Sequence, residues 1–458
     1  MSAEFKINKG LDIPMEGAPG DQVRRIESKG TLSVYPSEFK NVKFKILVEE
    51  GDKVVRGGVL ARRKDIPDCF VRSPAAGTVK SVILGARRSL KEIVIEPAGS
   101  DDAETFDAYT AADLLSAERE KLLAELTDTG MLGVIRQRPF SHTANPADVP
   151  KSIFVNGMAT APFRPDAHVL VRGKEKELQA GLNALTRLTD GPVHLNLDAK
   201  AKSAGDALTG AEGVQVNYFE GPHPSGNTGT HVHYLDPIVP GDVVWTLRVS
   251  DVLLIGELLL TGRVPNRKTV LLAGPGVKEE FRGYVDAPLG APMSELLEGA
   301  LEEGDLRVVR GDALHGEAVN VEDSGLYLYD EGFVVLPEDR ERHLLGWYAP
   351  TTEQFSAHKV VPSAWVKEKK RFSFGTNTRG SKRALVLTGI YDPYVTLDIM
   401  MDPFIRVCIA GETEEAIAMG ILESDPEDFA LCTFVCPSKT DFGHIVAETL
   451  SMIEEEGI

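Results

Sequence analysis

The stretch GMLGVIRQRPFSHTANPADVPKSIFVNGMATAPFRPD, residues 130–166, decides the fold. It reads as an irregular, proline-marked loop, then a short apolar strand at Ile153-Phe154-Val155, then a second loop that opens toward a helix. Beyond it, Lys174 to Leu188 is a helix candidate whose Leu178, Leu182, Leu185 and Leu188 form one apolar stripe, stopped by Gly191-Pro192. A strand over Val193 to Leu197, a helical stretch through Ala207 and a third strand over Val214 to Phe219 complete a β-α-β-α-β pattern. Handedness and layering make that a parallel, Rossmann-like sheet. Ligands of such sheets sit at the carboxyl ends of the strands. A loop that cradles phosphate offers small residues and free backbone N–H groups, yet the first loop offers Arg136, Gln137, Arg138, Pro139 and Phe140. No G-x-G-x-x-G with a following acidic residue and no Walker loop occurs, so the fold suits a nucleotide while the fingerprint is missing.

Upstream, residues 43–97 read as short strands punctuated by turns at Gly51-Asp52 and Ala76-Gly77. The pair GDKVVRGGVL and SPAAGTVKSV resembles the two halves of a lipoyl/biotinyl-type sandwich. Carrier domains of that type place their modified lysine midway between the halves. Lys64 is displaced toward the first half, so a structural β domain is the expectation. Residues 100–130 carry Leu114, Leu115, Leu122, Leu123 and Leu126 at helical spacing.

Downstream, a helix is expected from Trp245 to Gly262. His223, His231 and His233 invite a metal reading, because His231 and His233 share one face of an extended segment, but no acidic or Cys partner lies near them in sequence and hydrogen-bonded loop histidines are expected instead. From Arg267 to Asp330 the order of strand, Gly274-Pro275-Gly276 hairpin turn, strand at Tyr284-Val285, helix Met293 to Leu301 and strand Arg307 to Arg310 matches a β-grasp (SLBB-like) module. From about Glu341 the chain becomes helical and irregular. There Cys432 and Cys436, four apart, lie on one helical face if the segment is a helix, close enough to share a metal or to cross-link, and make a candidate redox pair. The fold class is thus multidomain α/β. Residues 1–100 hold the lipoyl-like β domain, 101–150 a helical linker and loop, 151–265 the Rossmann-like domain, 266–340 the β-grasp module and 341–458 a mainly helical region.

Composition narrows the function. The chain has 458 residues, 42% hydrophobic and 26% charged, with a formal net charge of −19. An ordinary globular composition with that charge argues against nucleic acid as a partner. No apolar run reaches the roughly 20 residues that span a bilayer, and the amino terminus shows no signal segment, so direct membrane insertion is not expected and a cytoplasmic location is. Four scattered cysteines are too few for a disulfide framework.

Taken together, KINKGLDIPMEGAP, the lipoyl-like halves, RQRPFS, GPHPSGNTGTHVHYLDP and PEDFALCTFVCPSKTDFG resemble, in order and from end to end, the A-subunit family of Na⁺-translocating NADH:quinone reductases. The resemblance implies a peripheral subunit on the cytoplasmic side of the bacterial inner membrane, in a six-subunit complex that oxidises NADH, reduces ubiquinone and exports Na⁺. It implies five partner subunits, chiefly the B-subunit of that complex. It implies no cofactor in this chain, with FMN, FAD, riboflavin and iron–sulfur centres in the partners. More distant relatives are the C-subunit of Rnf-type reductases and the flavin-bearing NADH subunit of complex I. Their glycine-rich flavin loop is replaced here by residues 134–141, their acidic second loop by Asn156 to Pro162, and their cysteine clusters are reduced to Cys432 and Cys436.

The resulting expectation is an accessory subunit without catalytic or metal-binding residues. Its first loop offers Arg136, Arg138, Phe140 and His142 to a ubiquinone ring and its carbonyl oxygens. Against ligand contact stands the pairing of both arginines with the chain's carboxylates. Two other readings remain: a purely structural adaptor with no ligand site, and a soluble flavin-dependent NADH dehydrogenase.

Overall fold

A seven-stranded sheet organises the chain, in the order Glu4–Lys6, Gln215–Glu220, Val193–Asp198, Ser152–Asn156, Val244–Arg248, Arg136–Arg138 and His142–Thr143. The computed structural model describes residues 2–39, 41–341, 351–365, 370–385 and 389–457. Of the region expected to be helical from 341 onward, residues 342–350, 366–369, 386–388 and 458 lie outside the described residues. The first five strands run parallel; Arg136–Arg138 runs against them, and His142–Thr143 pairs antiparallel with it.

Both faces of the central strand are covered. Ile153 and Val155 enter a core with Leu178, Leu182, Val252 and Leu258, whereas Phe154 points the other way, toward Phe404 and Phe429. The helices Glu175–Leu185 and Val249–Thr261 cover the first face. They approach so closely that a Cβ on Gly256 would fall 1.8 Å from the carbonyl oxygen of Glu177. On the second face lie the helix Thr228–Leu235 and a carboxyl-terminal group, Met401–Ala410, Thr413–Ala418, Ala430–Val435 and Phe442–Glu456.

Three expectations need correction. Trp245 does not start a helix: Val244–Arg248 is a strand, and the helix runs Val249–Thr261. A strand buried on both faces lacks alternation, so VVWTLRVSDVLLIGELLL reads as one apolar run. Next, residues 136–143 are an edge hairpin of the sheet rather than a free loop. Finally, the amino-terminal region is not one unit, since Glu4–Lys6 joins the Rossmann-like sheet and Val23–Arg25 the β-grasp sheet. Strands of three residues are too short to show a period.

The β-grasp sheet has the order Glu317–Val319, Leu306–Arg310, Gly332–Pro337, Arg267–Ala273, Gly283–Pro288 and Val23–Arg25. Its helix is shorter than expected, Met293–Leu296, and a loop containing a 3-10 turn, Glu279–Phe281, replaces a tight hairpin after Gly274. The sandwich packs a four-stranded sheet (Leu32–Val34, Leu90–Pro97, Gly77–Leu84, Lys53–Val54) on a three-stranded one (Phe44–Ile46, Val59–Arg63, Phe70–Arg72). Leu60, Val79, Ile93 and Ile95 fill its small core. Residues 111–128 form two helices, Ala111–Ser116 and Arg119–Asp128; Leu114, Leu122, Leu123 and Leu126 are buried and Leu115 is 54% exposed.

Candidate functional site

The edge hairpin is built from its pairing with Val244–Arg248. Alternation along Arg136–Arg138 turns Gln137 one way, where it accepts from the Trp245 indole at 3.1 Å and donates to Asp148 at 2.7 Å. Both arginines turn the other way. Arg138 is 2% exposed. Its guanidinium donates to the Glu423 carbonyl at 2.8 Å and lies 3.8 Å from Asp425, 3.8 Å from Asp428 and 3.9 Å from Glu427. Burial, reinforced by Glu427 and Asp425 and opposed by Arg138, pushes Asp428 up to about 7. Asp425 goes the other way: burial would raise it, but Arg138 and the Ser141 hydroxyl that donates to it hold it low.

Arg136 stacks over the Tyr329 ring at 3.8 Å and donates to the Ser141 carbonyl at 3.3 Å. The turn takes Phe140 and Ser141 through positive φ, 79° and 53°. That geometry leans the Phe140 ring on the carboxyl-terminal core and places it 6.4 Å from the His142 ring. The hairpin therefore brings the four expected ligand contacts together, but the two arginines serve tertiary bonds. Phe140 and His142, both half-buried, retain surface.

The crevice at the carboxyl ends of Ser152–Asn156 and Val244–Arg248 is crossed by charge. Arg164 pairs with Glu331 at 2.8 Å and Glu427 at 3.4 Å. Arg248 reaches Asp251 at 3.0 Å and Glu331 at 3.2 Å, and Lys268 reaches Asp251 at 3.3 Å. Burial would raise Glu331, yet Arg248 and Arg164 outweigh it and keep it ionised; Asp251 is held low against burial by Arg248 and Lys268. Asn156 ties the neighbouring loops together, donating to the Gly226 carbonyl at 2.9 Å and accepting from the Met158 N–H at 2.9 Å. Between Asn156–Ala159, Arg164, Arg248 and Glu331 remains a cavity of about 20 Å³. That is room for about one water.

A second, larger cleft of about 80 Å³ opens where the sandwich, the β-grasp module and the main core meet, lined by Tyr35, Phe39, Phe70, Met131, Leu289 and Leu328 with Glu38 at its side. Burial, aided by Asp330 and opposed by the backbone N–H of Tyr329 (3.1 Å) and by Lys268, pushes Glu38 up to about 7. Nothing local in the sequence marks Glu38; only the docking of three modules makes it special.

His231 and His233 do not share a face. They lie on the helix Thr228–Leu235, where two residues span about 200°. His231 is fully buried, with its ring 4.3 Å from that of Phe219, and burial lowers it to about 3. His233 bonds Glu423 at 2.7 Å and His223 bonds Thr160 at 3.2 Å. No group of three or more His, Cys, Asp or Glu among the described residues could hold a metal.

Cys432 lies within the helix Ala430–Val435 and Cys436 caps it. Both are buried and free. Burial, with Cys436 beside it, pushes the Cys432 thiol well up, and the Tyr391 hydroxyl lies 3.2 Å from the Cys436 sulfur. Thiols so placed are poor nucleophiles.

The fold and site thus define a class: a multidomain α/β chain whose Rossmann-like crevice is bridged by its own ion pairs. Residues 5–98 match the family described as the NqrA N-terminal barrel-sandwich hybrid domain, 117–264 the NqrA second alpha/beta domain and 269–320 the NQRA C-terminal domain. Similar chains, each named as the A-subunit of the Na(+)-translocating NADH-quinone reductase, occur in Yersinia pestis bv. Antiqua (strain Angola) and Klebsiella pneumoniae (strain 342). Each is 37% identical over 99% of this chain and 100% of its own length. The chain belongs to the A-subunit family of Na⁺-translocating NADH-quinone reductases. Among solved structures, an NAD⁺-reducing [NiFe]-hydrogenase in the air-oxidized state aligns over 52% of each chain at 15% identity and a TM-score of 0.33, a likeness too loose to carry an argument.

Proposed function

We propose that the chain is a cofactor-free, peripheral subunit on the cytoplasmic side of a Na⁺-exporting NADH:ubiquinone reductase, held to five partners and chiefly to the B-subunit. The observation that carries this reading is the crevice itself. Where Rossmann-like sheets receive a nucleotide, Arg164, Arg248 and Lys268 meet Glu331, Asp251 and Glu427, and about 20 Å³ is left. A flavin or NADH would have to break several ion pairs, of which Lys268–Asp251 is buried and the others half-buried. The same observation weighs against a soluble flavin-dependent NADH dehydrogenase. No helix among the described residues is long and apolar enough to cross a membrane, in keeping with a peripheral place.

Ubiquinone contact, on this reading, falls to Phe140 and His142, with Arg136 and Arg138 holding the hairpin from behind. The alternative of a purely structural adaptor is favoured by the engagement of both arginines inside the protein. Absorbance and metal analysis of the purified chain, followed by titration with a short-chain ubiquinone, separates the readings. A colourless, metal-free chain that binds saturably, and loses binding in Phe140→Ala without losing its fold, supports quinone handling. Colourless and non-binding leaves the adaptor. Flavin or iron absorbance overturns the proposal.

A further inference from the structure

The sandwich module differs in charge from everything around it. Residues 30–97 hold 13 Lys and Arg against 8 Asp and Glu, while the rest of the chain holds 37 against 61. Its longest hairpin, Gly77–Leu84 with Leu90–Pro97, keeps the core as far as Leu90, and the turn of residues 85–89 lies beyond it. Val79, Ile93, Ile95 and, opposite Leu84, Leu90 are buried, whereas Ile83 is 38% and Leu84 43% exposed. The turn that follows is the short 3-10 segment Ala86–Arg88, with Arg87 and Arg88 both at positive φ, 52° and 60°. Among the described residues, the side chains of Lys80, Arg87, Arg88 and Lys91 make no ion pair and no hydrogen bond. Two carboxylates of the module are placed elsewhere: Glu92 lies opposite Ile83 and is half-buried, and Glu50 accepts from the Val82 N–H at 3.4 Å.

We propose that this hairpin tip is a docking surface for an anionic lipid bilayer, with Ile83 and Leu84 entering the headgroup boundary and Arg87, Arg88 and Lys91 pairing with lipid phosphates. A hairpin tip that joins exposed aliphatic side chains to unpaired cations has the makeup of an interfacial anchor. Long basic side chains keep their charge among the headgroups while their stems lie on apolar surface. Each Lys or Arg at an anionic surface raises partition about fivefold. A strongly acidic remainder is repelled by the same surface, so the module points toward the membrane and the bulk away from it. The inference rests on the reading of the chain as a peripheral member of a membrane complex, and its test does not depend on that reading.

The experiment is co-sedimentation of the full chain with vesicles of phosphatidylcholine alone and with 30% phosphatidylglycerol, at low and high salt. Binding is expected to the anionic vesicles only, to fall with salt, and to drop by roughly twentyfold or more in Arg87→Glu/Arg88→Glu. Ile83→Ser/Leu84→Ser is expected to weaken it further at high salt, where the apolar part dominates. Circular dichroism and melting check that both variants remain folded. Wild-type chain that ignores anionic vesicles, or binds them equally after charge reversal, overturns the proposal. Wild-type chain that ignores the vesicles but loses co-purification with other subunits on charge reversal assigns the tip to an acidic protein partner, and also overturns it. Failure of the wild-type chain to co-purify with any partner counts instead against its membership of the complex.

Discussion

The chain uses its arginines in two opposite ways. At the junction of the Rossmann-like sheet, the β-grasp module and the carboxyl-terminal helices, Arg138 is buried, Arg164 and Arg248 are half-buried, and each faces at least two carboxylates. At the tip of the sandwich, Arg87 and Arg88 are exposed and have no side-chain partner among the described residues, on a backbone conformation that non-glycine residues avoid. The contrast teaches that charge alone does not mark a binding site in this protein. What matters is whether the surrounding carboxylates already satisfy it.

The largest expected effect tests the enclosed set. Arg138→Ala leaves Asp428 buried, with Asp425 beside it, without their cation, while Glu427 keeps Arg164; urea unfolding at pH 8 is expected to show a loss of about 3–5 kcal/mol. The deficit should narrow at pH 5, where Asp428 is protonated. A cost no larger than that of Arg87→Ala/Arg88→Ala, expected within about 0.5 kcal/mol, would erase the distinction.

Gly229→Ala comes next. The added Cβ would lie 2.1 Å from Oδ2 of Asp428, so the carboxylate must leave its place beside Arg138. Thermal melting is expected to register about 1–3 kcal/mol of destabilisation.

Asp428→Asn sharpens the same point through pH. The carboxyl rises on folding from its ordinary value of 3.8 to about 7. The stability it contributes is full below the unfolded value and is lost as pH climbs through the folded one. Asn cannot ionise, so the variant should gain on wild type between pH 4 and pH 7, by on the order of 2 kcal/mol. A difference that stays flat across that range would mean Asp428 is ionised throughout.

The smallest effect falls on the exposed set. Arg87→Gly removes a side chain from φ 52°, and melting is expected to shift in the stabilising direction by no more than about 1 kcal/mol. A large loss would show that Arg87 is held by contacts inside the protein after all.

Much of the architecture was legible because it rests on short-range patterns. The leucine stripe of 178–188, the Gly-Pro stop at 191–192 and the alternating strands of the sandwich each declare themselves within ten residues. The misreadings have physical causes too. Trp245 sits in a strand covered on both faces, where no alternation survives. An extended segment would put His231 and His233 on one face, but the stretch is a helix and their faces part. Glu38 carries no local signal, since its burial comes from modules that meet only in the folded chain.

The sequence by itself determined the family, the order of the modules and the replacement of glycines by Arg136-Gln137-Arg138-Pro139-Phe140, because each is a local or compositional property. Only the tertiary structure decided what those side chains do. Arg138 donates to a carbonyl 285 residues away and Arg164 meets a carboxylate 263 residues away. Such partners are chosen by the docking of whole modules, driven by apolar burial across the sheet. The fate of a charge is settled by what that docking brings within about 4 Å.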